Sequence, residues 1–216
     1  MDQEKFQELL LQHYRCFKQL LDTWEKREPE LTLNIDMQIA LYCKNLIAAA
    51  KRIAPEFPEM SSHIARCFLE VEVILKWLKQ DPLNYNIFCA DAEYANLKLM
   101  KTKKAFVETV DASLVVEFEK RICEIAENLE KGKHSQFHDK LSPLHNIKGT
   151  AKKINESYGA HVSAYFDYYS KMSHPTAWLI MTNPNELPLI RKEAMNGIQK
   201  SIITILNTLD QQPRVI

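Results

Sequence analysis

Between Ser61 and Gln80 the chain reads SSHIARCFLEVEVILKWLKQ, a run whose apolar residues fall on nearly every side of an α-helix. A helix of that kind has no broad face to give to water and belongs inside a fold. Set out at about 100° per residue, its polar residues gather in two stripes, Glu72, Lys76 and Lys79 on one and His63, Arg66 and Glu70 on the other. A central helix cannot easily offer both stripes to bulk solvent. Either Arg66 and Glu70 form a buried structural pair, or they line a site. The expectation is that the Arg66/Glu70 stripe meets Ser170 and His174 from the C-terminal half, while Glu72, Lys76 and Lys79 lie towards solvent.

The rest of the chain supplies helices for this one to pack against. Residues 2–27 place Phe6, Leu9, Leu10, Phe17, Leu20, Leu21 and Trp24 at three- and four-residue spacings, a long amphipathic helix that stops before Pro29. A second helix starts near Asn34 or Asp36 and ends at Ala54, ahead of Pro55. After Asp81-Pro82 come helices expected at 84–102 and 105–131, the latter with Leu114, Phe118, Ile122 and Ile125 on one side and glutamates on the other. Gly132 suits a C-terminal stop, and KGKHSQFHDKLS reads as a loop. Ser142-Pro143 opens a helix that runs to Tyr158 and ends at Gly159. An aromatic helix follows at 161–173 and a last amphipathic one at 187–209. No strand-like alternation and no internal repeat are visible. The expected architecture is all-α, one domain over 1–216, a bundle of about eight helices around the central helix 61–80; a division near residue 132 is the alternative.

Composition agrees with this and narrows the function classes. With 216 residues, 46% of them apolar and only 4 glycines, the chain can bury a sizeable core and favours helix. Its 28 basic and 28 acidic residues cancel, so any affinity for nucleic acid must come from local clustering. The 5 cysteines are odd in number and contain no C-x-x-C pair, which fits reduced thiols and a cytoplasmic setting. No run reaches the roughly 20 apolar residues of a membrane span, and the charged N-terminus lacks the apolar centre of a signal peptide. P-loop, Rossmann, H-E-x-x-H and G-x-S-x-G patterns are all absent from the sequence, so no cofactor is expected.

The residues with chemistry to offer are Arg66 and Glu70, and Ser170 and His174, each pair four apart on a helical face. A guanidinium holds phosphate or carboxylate, a carboxylate orients it, an imidazole titrates near neutrality and a hydroxyl positions it. In that reading Arg66 holds phosphate, Glu70 orients Arg66, His174 is the acid/base and Ser170 positions His174. Lys152 and Lys153, with Lys148 and the cluster Lys98, Lys101, Lys103 and Lys104, could track a phosphate backbone or form a solvated surface. His134, His138, Asp139 and His145 could be imagined around zinc, but the stretch reads as a polar loop and no metal is expected.

Arg66-x-x-x-Glu70 in ARCFLEVEVILKWLK, followed by YFDYYSKMSHPT from Tyr165, resembles a widespread bacterial all-helical domain family of unknown function. That family pairs an R-x-x-x-E helix with an S-x-x-x-H-P segment. The resemblance spans about residues 40–180 and implies that Arg66, Glu70, Ser170, His174 and Pro175 occupy signature positions. A more distant likeness is to HEPN-type ribonuclease domains, from which the chain departs in having no arginine a few residues before His174; Lys171 is the nearest basic residue. Two expectations therefore stand. One is a polar Arg/Glu/Ser/His cleft that binds or cleaves RNA or another phosphate-containing ligand in a defence or toxin-like role. The other is a non-catalytic module in which those four residues form a buried network and a protein partner or second copy docks on the terminal amphipathic helices.

Overall fold

The computed structural model describes residues 3–27, 35–53, 58–110, 115–131, 146–173 and 187–210. Among these the chain is all-α, with eight helices and no strand. They are α1 (Gln3–Arg27), α2 (Ile35–Ile53), α3 (Pro58–Gln80), α4 (Pro82–Val110), α5 (Val115–Lys131), α6 (Ile147–Ile154), α7 (Glu156–Ser173) and α8 (Leu187–Leu209). The expected all-α bundle of about eight helices is what is found. None of the described helices is long and apolar enough to cross a membrane.

The helices gather into two compact units, 1–76 with 148–216, and 77–147. In the first, α1 pairs with α2, and α8 meets both. Its buried side chains include Phe6, Phe17, Ile47, Phe68, Leu75 and, from α8, Ile198, Ile202 and Ile205. In the second, α4 pairs with α5, and Leu78, Tyr85, Ala90 and Met100 are buried. Helix α3 buries Ser62, Ala65, Phe68, Val73, Leu75 and Leu78, residues drawn from most of its circumference, as its nearly continuous apolar sequence requires.

Two joints show how short polar residues set the elements. Asp81 caps α4: its carboxylate accepts from Leu83 N at 2.9 Å, its carbonyl accepts from Asn84 N at 2.9 Å, and Pro82 takes the first helical position. Asn155 caps α7 in the same way, accepting from Tyr158 N at 3.1 Å. The break between α6 and α7 thus falls at Asn155, four residues before Gly159, where the sequence had suggested a stop. Gly159 is needed for another reason. A Cβ there would lie 2.6 Å from Lys152 Cα and 2.8 Å from Lys152 N, so the glycine lets the first turn of α7 press on the backbone of α6. Helix α4 also runs further than expected, to Val110, and α5 begins at Val115.

Candidate functional site

Within the first unit, α3, α7 and α8 line a groove of about 440 Å³. Helical spacing puts its lining residues in register. Leu69, Glu72 and Lys76 come from α3 and Tyr158, His161, Tyr165 and Tyr169 from α7, at three- and four-residue intervals, and Gly197, Lys200, Ser201, Ile203 and Thr204 come from α8. The α7 wall is a ladder of rings: His161 and Tyr165 have centroids 4.6 Å apart at 53°, and Tyr165 and Tyr169 5.8 Å apart at 41°. Tyr169 runs in until its hydroxyl touches Gly197, and a Cβ at residue 197 would collide with it.

Glu72 anchors the groove. It is 8% exposed, and a carboxylate so placed needs partners for its charge and lone pairs. Oε1 accepts from Tyr158 Oη at 3.0 Å and from Lys76 Nζ at 2.9 Å, and Oε2 accepts from Ser201 Oγ at 2.8 Å. Lys76 Nζ also sits 4.0 Å from the centroid of the Tyr158 ring. Burial, and then the Glu72 charge and hydrogen bond, push the Tyr158 hydroxyl well above the usual tyrosine range, so it remains a donor. The expectation that Glu72 faces solvent is overturned. Its two hydroxyl partners lie 86 and 129 residues away along the chain, so no local pattern could announce them.

Arg66 and Glu70 occupy a different, half-open place. Arg66 Nε donates to Glu70 Oε1 at 2.9 Å, with the two side chains 26% and 32% exposed, and its Cζ lies 4.5 Å from the centroid of Phe166. Lys148 approaches the same ring at 5.8 Å and pairs with Asp167. Solvent screens pairs of this kind, and each is worth at most about 1 kcal/mol. Ser170 Oγ donates to the Phe166 carbonyl at 2.6 Å. Phe166 is thus the shared neighbour of Arg66 and Ser170, and neither they nor Glu70 line the groove. His174 and Pro175 lie outside the described residues, as do His134, His138, Asp139 and His145. Lys152 and Lys153 are exposed on α6 and also do not line the groove.

Other reactive groups are muted. Cys67 Sγ lies 3.8 Å from His63 Nε2, but burial and then Glu70 push its thiol up, away from the thiolate that a nucleophile requires. Burial carries the Cys43 thiol to about 12. No cluster of three metal-ligating side chains occurs among the described residues. A second depression of about 330 Å³, between α1 and α2, carries both signs of charge, with Lys18 and Lys44 beside Asp22 and Glu25.

Tyr158, His161, Tyr165, Lys200 and Ser201 did not stand out in the sequence as a site. The regular spacing of aromatics along α7 was the available signal, and it is indistinguishable from core packing until α3 and α8 are in place. Comparison with family models, with curated proteins and with solved structures finds no match.

Proposed function

We propose that the protein is a non-catalytic binding module whose ligand seat is the groove of α3, α7 and α8. The observation that carries this reading is the state of Glu72: it holds three hydrogen bonds from Tyr158, Lys76 and Ser201, which leaves it a structural anchor and not a general base. What remains to face a ligand is a wall of rings on α7 and two lysines, Lys76 and Lys200. Concave, largely apolar sites with a few polar groups are the usual form of a small-molecule seat, and typical volumes are about 300–1,000 Å³. Ser170, cast by the catalytic reading as positioning His174, donates to its own helix instead, which favours the same reading, whereas the Arg66–Glu70 pair fits either one.

The test combines a turnover assay with a binding assay on the full chain. Incubation with a broad RNA panel is expected to give no cleavage, and an aromatic fragment set is expected to shift the NMR signals of Tyr158 and Tyr165. RNA cleavage by the wild type that disappears in Arg66→Ala, at an unchanged melting temperature, would overturn the proposal and restore the catalytic reading.

A further inference from the structure

The geometry points to a planar aromatic anion, of the nucleoside monophosphate class, as the ligand of this groove. The inference rests on the reading of the groove as a binding seat and adds the chemistry of its occupant. Three features select it. His161 and Tyr165 line the groove as neighbouring rings tilted to one another, His161 itself being exposed, and aromatic side chains so placed offer a stacking surface to a flat heterocycle. Charge supplies the second feature. The lining holds one carboxylate, Glu72, against two lysines, Lys76 and Lys200, and the carboxylate is engaged by its hydrogen-bond donors. Lys76 shares its charge with Glu72, whereas Lys200 is exposed and has no carboxylate partner among the described residues. Among its lining residues the groove thus carries one more positive than negative charge beside an aromatic wall, with Glu193 on the other side of that wall near Tyr165 and Tyr168. This fits a ring system carrying a phosphate at the Lys200 end.

The third feature concerns selectivity. Tyr158 and Ser201 hydroxyls are committed to Glu72, and the Thr204 hydroxyl donates to the Lys200 carbonyl at 3.1 Å. With these three hydroxyls occupied, a base would be held chiefly by its face, with only His161 and the Tyr165 hydroxyl left to reach its edge. Discrimination among bases should follow stacking area, purines ahead of pyrimidines, with no sharp preference within either pair.

Calorimetric titration of the full chain with AMP, GMP, CMP and UMP tests this, with adenosine and inorganic phosphate as separate arms. AMP and GMP are expected to bind with sub-millimolar Kd, and adenosine or phosphate alone at least about 10-fold more weakly. Lys200→Ala and Tyr165→Ala should each weaken AMP about 10-fold, the size of one lost charge-assisted contact or one lost stack, and Lys200→Ala should leave the melting temperature unchanged. Equal binding of adenosine and AMP, with Lys200→Ala altering neither, overturns the anion assignment while the groove stands as a seat for neutral ligands. The anion assignment is overturned in the same way if no mononucleotide binds but neutral aromatic fragments still shift the Tyr158 and Tyr165 signals. If nothing in either set shifts those signals, the groove itself is not a binding seat and both readings fall.

Discussion

Glu72 is the residue on which the site depends most, because three partners on three helical positions converge on its carboxylate. Glu72→Ala would leave the Tyr158 and Ser201 hydroxyls unmatched beside a new void, at a cost of about 2–4 kcal/mol. Glu72→Gln keeps an acceptor for Tyr158 and gives up mainly the ion pair with Lys76, whose side chain is 30% exposed, so about 1 kcal/mol is expected. Urea titrations of both variants check the order; equal midpoints for the two would show that the carboxylate is not the organising group. Arg66 and Glu70 offer a contrast at the same scale. They have the same four-residue spacing as Glu72 and Lys76, and the sequence marked them as the more suggestive pair, yet they sit at the half-open surface beside Phe166. Spacing identifies the pair; the neighbours decide whether it is buried.

At the scale of the elements, two glycines set how closely helices approach. Gly159 meets the backbone of Lys152 on α6, whereas Gly197 meets the far end of Tyr169 on α7. Alanine raises helix propensity by about 1 kcal/mol over glycine, which favours both substitutions locally. Overpacking opposes it, and the two sites differ in what can move. At residue 197 the clash is with the tip of one side chain, which must shift as a whole, so Gly197→Ala should cost a net of about 1–2 kcal/mol and disturb the groove. The α6 backbone cannot yield without opening the joint at Asn155, so Gly159→Ala should cost about 3 kcal/mol or more. Thermal melts of the two variants measure this, and adding Tyr169→Phe should recover part of the loss in Gly197→Ala and none in Gly159→Ala. Equal losses, or a gain at Gly159, would mean that the helices separate more readily than their packing implies. Other element boundaries were open to a sequence reader, since Asp81-Pro82 marked the start of α4. Gly159 was misleading because a glycine used for close approach and one used as a helix stop look alike in sequence.

For the molecule as a whole, buried phenols govern the alkaline limit of stability. Tyr158 and Tyr169 are both held above the usual tyrosine range, each by burial first. An unfolded tyrosine ionises near pH 10, so above that pH the unfolded chain loses protons that the folded protein keeps. Their contribution is therefore complete below about pH 10 and is lost as pH rises towards the folded values. Between about pH 9 and 11 the urea midpoint should fall for the wild type and fall less for Tyr158→Phe, although that variant starts lower at neutral pH. Parallel curves would remove Tyr158 from this role. The sequence by itself determined the all-α class, the place of α3 as an interior helix and most helix boundaries, because periodicity, prolines and capping residues act over a few neighbouring residues. Only the tertiary structure decided which polar stripe of α3 turns inward and which residues form the groove. The physical reason is that a buried carboxylate is stabilised by whichever donors surround it, and Tyr158 and Ser201 reach Glu72 only after α7 and α8 have packed.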